Sequence, residues 1–257
     1  MEKFLEIKGL KNNNLDILIK KNTISTFSGA NNCGKTTFIR ILGKQLDCES
    51  EIELENKKIT DYTLEEYNEL VKTVIPKELI FDETNIEEEL YNKCSLEYKE
   101  KEILINYIIK RLKLKKFITK EISNLTTKEV ILAQIAISLL NKPKLLLIDS
   151  LDLYFNLEEQ KNIILFLKNY MSKFGLTVII TVTNLEISID TDYLYIIDKG
   201  NLELSGKPLE VLEKDNIINK IGLNIPFMID LSVKLRDYDL ITDIETDYDR
   251  MIEALWK

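Results

Sequence analysis

The chain has 257 residues, 45% of them hydrophobic, a formal charge of -8 and no histidine, enough for one large core or one core with a small appendage. No long Lys/Arg block appears, which argues against a nucleic-acid partner held by phosphate neutralisation. Cys33, Cys48 and Cys94 are odd in number and free of CxxC spacing, no signal segment precedes the first strand, and the longest apolar stretch (Val130 to Leu140, with Gln134 in it) is about half a bilayer span; a soluble chain in a reducing cytoplasm is expected.

In chain order, "KFLEIK" and "LDILI" alternate apolar and polar like half-exposed antiparallel strands. "TISTFS" (23–28) is a strand that runs into "GANNCGKTT", and "TFIRILGKQL" then has helical spacing. One short strand is expected over 51–58, a helix at "TLEEYNELV" and a strand at "KTVIP" stopped by Pro76. Residues 85–116 are charged and periodic at three and four, which predicts a helical insertion. A helix over 126–140, the strand "KLLLID", and a long helix opened by Asn156 with Glu159 three on and closed by Gly175 follow. "LTVIITVT" and "YLYIID" add strands, "DKGNLEL" turns around Gly200, and the rest is helical in three pieces. The alternation is α/β.

Gly29-Ala30-Asn31-Asn32-Cys33-Gly34-Lys35-Thr36 matches GxxxxGK[ST] between a strand and a helix, with Thr37 next. Glycine lets successive backbone N–H groups point at phosphate oxygens, and the following helix presents its positive end to them. Lys35 suits the terminal phosphates and the Thr36 hydroxyl suits Mg²⁺. These nine residues, 29 to 37, are the expected nucleotide site. A guanine motif Asn-Lys-x-Asp is missing, because "NKPK" at Asn141 lacks the Asp and precedes a strand.

The order of phosphate loop, helical insertion, helix, apolar strand ending in Asp149 and later strands resembles the ATP-binding domains of ABC ATPases over nearly the whole chain. The tail "IGLNIPFMIDLSVKL" with "MIEALWK" looks like the C-terminal extension of ATPase subunits in energy-coupling factor (cobalt and vitamin type) importers. The resemblance implies a P-loop NTPase core, a mixed sheet with flanking helices and an antiparallel β edge. It implies an ATP-binding domain over 1–206, with a helical subdomain at about 85–140, and a C-terminal helical extension over 207–257. It also implies ATP and Mg²⁺ as ligands, with Thr36 and Asp149 at the metal, and two such subunits closing on ATP through a signature motif.

Several of the family's hydrolytic parts are replaced. Ser150 stands where the family has the glutamate that polarises water, and its hydroxyl accepts no proton near neutral pH. Asp152 is the nearest alternative base. Thr183 takes the place of the switch histidine and Pro76 that of the Q-loop glutamine, and Leu125-Thr126-Thr127-Lys128-Glu129 replaces LSGGQ without either glycine. Thr126-x-x-Glu129 is also a helix capping box, and Asn156 in Leu153-Tyr154-Phe155-Asn156 is a helix cap. With no tyrosine before Tyr62, the adenine-stacking aromatic is missing or replaced by Phe4.

The resemblance therefore implies a hydrolysis-impaired ATP-binding subunit of a membrane importer, paired with a second ATPase subunit in a heterodimer. Its other partners would be polytopic membrane subunits, met peripherally at the cytoplasmic face of the membrane. Two further readings stay open at this point: an ATP-gated regulatory protein without membrane partners, and an unrelated P-loop phosphotransferase.

Overall fold

A computed structural model describes residues 2–9, 16–76, 78 and 81–256. Leu15 and Lys257, which the sequence reading put at the edges of a strand and a helix, lie outside the described residues. The chain builds two sheets. Strands β1 (Lys3–Lys8), β2 (Ile17–Lys20), β4 (Glu51–Leu54) and β5 (Lys57–Lys58) form an antiparallel sheet in the order β2-β1-β4-β5. Its pairings Leu5↔Ile19, Ile7↔Ile17, Leu5↔Leu54 and Ile7↔Ile52 set six apolar side chains on one face, all buried.

The second sheet runs β10-β9-β3-β8-β7-β6, from β3 (Ile24–Ser28), β6 (Val71–Val74), β7 (Leu145–Ile148), β8 (Thr177–Val182), β9 (Tyr193–Asp198) and β10 (Asn201–Gly206). It is parallel except for β10, an antiparallel edge strand. Its inner strands β3, β7 and β8 are buried at every residue, as strands covered on both faces must be. Alternation along β7 divides the interior. Leu146 and Ile148 join one apolar cluster with helices α3 (Ile86–Lys93), α4 (Tyr98–Arg111), α5 (Thr127–Ser138) and α6 (Leu157–Phe174). Leu145 and Leu147 join another with α1 (Lys35–Leu42), α2 (Leu64–Leu70) and the antiparallel sheet.

Helices α7 (Pro208–Leu212), α8 (Asp215–Ile221), α9 (Phe227–Asp237) and α10 (Tyr248–Leu255) complete the chain. Ile218, Ile229 and Val233 pack with Leu194 and Ile196 of β9 in a third cluster. The single strand expected over 51–58 is a hairpin, β4 and β5, turning through Glu55 and Asn56 at φ 50° and 65°. Two consecutive left-handed residues are the requirement of the tight hairpin turn. No glycine marks it in the sequence.

One buried contact fixes the helix that leaves the phosphate loop. Tyr67 of α2 is fully buried and donates its hydroxyl to the Leu42 carbonyl at the end of α1, 2.6 Å away; burial pushes its pKa well above the usual tyrosine range. Tyr67→Phe keeps the shape but strands that carbonyl, so urea denaturation is expected to show a loss of about 1–3 kcal/mol. An unchanged midpoint would remove this contact from the account of α1.

Candidate functional site

The parallel register brings the site together. Val74 pairs with Ile148, Ile148 with Ile180, and Ser28 with Val182, so Pro76, Asp149, Thr183 and the loop after Ser28 all leave the carboxyl edge of one sheet. Ligands of open α/β sheets sit at this edge.

The loop itself is shaped by its glycines. A Cβ on Gly29 would lie 2.2 Å from the Ile197 carbonyl oxygen and 2.5 Å from the Cys33 Sγ, so only glycine fits there. Gly34, at φ 106°, is the residue before α1. Lys35 is buried and its ammonium donates to the carbonyls of Gly29 (2.6 Å) and Ala30 (3.0 Å), folding back across its own loop. Asn31, Asn32, Gly34, Lys35, Thr36 and Thr37 form one wall of a cleft of about 390 Å³, and Ser150, Leu153 and Thr183 form the other. Gly29, Ala30 and the buried Cys33 do not line this cleft.

Asp149 is nearly fully buried at the end of β7, and both its oxygens are engaged. Oδ2 accepts from the Thr36 hydroxyl at 2.8 Å. Oδ1 accepts from the Thr181 hydroxyl at 2.6 Å and from the Ser150 hydroxyl at 3.2 Å, while the Thr181 oxygen accepts the Ser150 N–H at 2.8 Å. Thr181 thus holds the carboxylate and also the backbone of Ser150, which is left-handed at φ 52°. Thr181 belongs to none of the motifs visible in the sequence. Its signal was a hydroxyl in a strand otherwise apolar near its end, "TVIITV".

The expected pair Thr36 and Asp149 is therefore joined directly. A carboxylate beside a hydroxyl is a hard oxygen set that suits Mg²⁺, which takes one or two carboxylates and completes its shell with water and phosphate.

Asp152 is not free to act as a base on one side: its Oδ2 accepts the N–H groups of Thr183 and Asn184, both at 2.8 Å. It ties the segment after Asp149 to the end of β8. Pro76 is buried and offers no donor. Just beyond it the Glu78 carbonyl accepts from the Gln134 amide of α5, and the Glu78 carboxylate pairs with Arg40 of α1 at 2.8 Å. Phe4 is 1% exposed among the residues of the core under the antiparallel sheet, so it presents no face to a base. The sequence alternation marked Phe4 as apolar without revealing that its side is covered.

The Leu125–Glu129 segment is a complete capping box. Thr126 Oγ1 accepts the Glu129 N–H and Glu129 Oε2 accepts the Thr126 N–H, at 3.3 and 2.8 Å. Asn156 and Glu159 repeat the arrangement at the start of α6. Lys128 then bridges the two helix starts through Glu159 at 2.6 Å.

A family model described as ABC transporter matches residues 12–151, more than half of the chain. The chain belongs to the ABC transporter family. The spermidine/putrescine import ATP-binding protein PotA of Clostridium acetobutylicum is 28% identical over 91% of this chain and 67% of its own length. PotA of Clostridium novyi is 30% identical over 79% of this chain and 58% of its own length. This chain thus spans about three fifths to two thirds of these relatives. The energy-coupling factor transporter ATP-binding protein EcfA1 of Lactobacillus delbrueckii subsp. bulgaricus is 29% identical over 53% of this ABC chain and 49% of its own. Among solved structures, cbiO1 of Clostridium perfringens, part of the ABC transporter complex cbiONQ, superposes with a TM-score of 0.72 at 20% identity, covering 92% of this chain and all of that one. The ADP conformation of MJ1267, an ATP-binding cassette of an ABC transporter, gives 0.73 at 18% identity over 86% and 99%. The P-loop ABC ATPase fold, with its mixed sheet and flanking helices, is shared, and ABC domains of this kind bind ATP.

Two tests follow from this geometry. Thr181→Val removes the donor to Asp149 Oδ1 without changing side-chain volume much; it is expected to weaken the Mg²⁺-dependent part of ATP affinity by roughly tenfold or more, as loss of an outer-shell partner does, with Mg²⁺-free affinity unchanged in calorimetric titration. Equal losses with and without Mg²⁺ would count against the assignment. The second concerns acid. The Lys128 ammonium holds the Glu159 carboxyl below its ordinary 4.5, and the Thr126 N–H does the same for Glu129. Their stabilisation is therefore complete above pH 4.5 and is lost as pH falls below it. A Glu129→Gln/Glu159→Gln variant is expected to lose less stability than the parent on acidification through that range, measured by thermal unfolding at stepped pH.

Proposed function

We propose that this chain is the ATP-binding subunit of an ABC importer of the energy-coupling factor type, one that binds Mg-ATP and contributes little hydrolysis of its own. One observation carries the reading. The binding half of the site is intact, from the phosphate loop to the Thr36–Asp149 hydrogen bond, while Ser150 and Thr183 occupy the cleft wall where a base and a histidine would serve. A hydroxyl at Ser150 orients Asp149 and takes no proton from water.

The chain's own residues divide the work. Loop amides and Lys35 hold phosphate oxygens once Lys35 releases the carbonyls of Gly29 and Ala30. Thr36 and Asp149 would hold Mg²⁺, and Thr181 keeps the carboxylate aimed. What the metal supplies when bound is neutralisation of charge on the phosphates. Asp152 fixes the end of β8 against the Ser150 segment, so that Ser150 and Thr183 stay together in one wall of the cleft.

The chain would pair with a second ATPase subunit that keeps its glutamate and histidine, and both would sit on polytopic membrane subunits at the cytoplasmic face. The helical tail and the partial similarity to EcfA1 support the energy-coupling factor type. The similarity to PotA supports an importer more broadly. Among the described residues no helix is long and apolar enough to cross a membrane.

Co-expression with the genomic neighbours, followed by ATPase assays, tests this. Lys35→Ala is expected to weaken ATP binding by the purified chain roughly tenfold or more, the worth of a charge-assisted hydrogen bond, yet leave most of the hydrolysis by the complex. Ser150→Glu is expected to raise turnover at this site toward the roughly 10²–10⁴-fold contribution of a general base. Steady hydrolysis by the isolated chain that vanishes in Lys35→Ala would sink the proposal.

A further inference from the structure

The chain has no long Lys/Arg block, but the short stretch "KRLKLKK", residues 110–116, sets five cations in seven residues against a net charge of -8. Leu112 and Leu114 are buried, which turns Lys110, Arg111, Lys113, Lys115 and Lys116 outward, all exposed. Lys113 takes a left-handed conformation, φ 56°, at the bend after α4. The neighbouring cations are matched: Lys120 pairs with Glu129 at 2.9 Å and Lys128 with Glu159 at 2.6 Å. Among the described residues Arg111, Lys113 and Lys116 have no carboxylate within ion-pair distance. Like charges so close repel within a Debye length, and a bound anion relieves that repulsion.

These three also line a cleft of about 360 Å³ whose other walls include Phe117, Leu132 and Phe155. Its size and its mixture of an apolar body with a few charged groups at the rim are those of a small-molecule site. It shares no lining residue with the cleft at the phosphate loop. We propose that it binds a small organic anion: a carboxylate, sulfonate or phosphate monoester head facing Arg111, Lys113 and Lys116, with an aromatic or alicyclic body against Phe117, Leu132 and Phe155. Lys128, Glu129 and Glu159 line the same cleft, so a ligand there touches the bridge between the first turns of α5 and α6. That position fits an effector.

The probe is 8-anilinonaphthalene-1-sulfonate, an aromatic anion that fluoresces when desolvated, titrated into the whole chain. Saturable one-to-one binding is expected. Arg111→Glu/Lys116→Glu, at exposed positions, should raise its Kd about tenfold or more, because two attractions become repulsions. Lys113→Gln should weaken it by a smaller factor. The neutral analogue N-phenyl-1-naphthylamine should respond to neither change, and Lys35→Ala should leave the anionic probe's Kd as it was. Three results would overturn the proposal: a Kd indifferent to both cleft variants, loss of probe binding in Lys35→Ala, or sedimentation of the chain with phosphatidylglycerol vesicles without any binding of the dissolved anion.

Discussion

The hydrogen bond from the Thr36 hydroxyl to Asp149 joins residues 113 positions apart and closes the site. Everything around it serves to hold two short side chains at that distance. Parallel pairing of β3, β8 and β7 delivers both ends to one sheet edge. Thr181 occupies the other carboxylate oxygen, and the Leu42 carbonyl is held by Tyr67, so α1 is fixed at its far end. A buried carboxylate left unsatisfied would be costly, and here each oxygen has a donor.

Around this fixed centre the polar residues of the neighbouring segments have structural employment. Ser150 bonds to Asp149, Asp152 ties down the N–H groups of Thr183 and Asn184, and Thr126 with Glu129 caps α5. Where a polar residue already satisfies local backbone groups, a chemical role is not needed to explain it. These residues thus read as parts of the scaffold around the site.

What was legible in the sequence follows the range of the forces involved. The phosphate loop is local as a pattern: its glycines and Lys35 fall within eight residues, even though the carbonyl that excludes a side chain at Gly29 comes from Ile197, and the capping boxes at Thr126 and Asn156 span three. Asp149 was legible because four buried apolar residues precede it. Thr181 was not, since its meaning depends on strand register with β7. The Lys128–Glu159 bridge crosses 31 positions, and Phe4 looked available because alternation gives a side chain's period but not what covers it. The Glu55-Asn56 turn was hidden for another reason, because without a glycine only Asn56 marks its two left-handed residues, and Asn is a weaker mark than glycine.

The Ile197 carbonyl that excludes any side chain at Gly29 belongs to β9. Along that strand Tyr195 and Ile197 belong to the cluster on the α1 side, with Tyr195 stacked on Phe27 at 4.5 Å, whereas Leu194 and Ile196 belong to the cluster of the C-terminal helices. Helices α7 to α9 and helix α1, which leaves the phosphate loop, accordingly pack against alternate side chains of the one strand whose carbonyl meets Gly29.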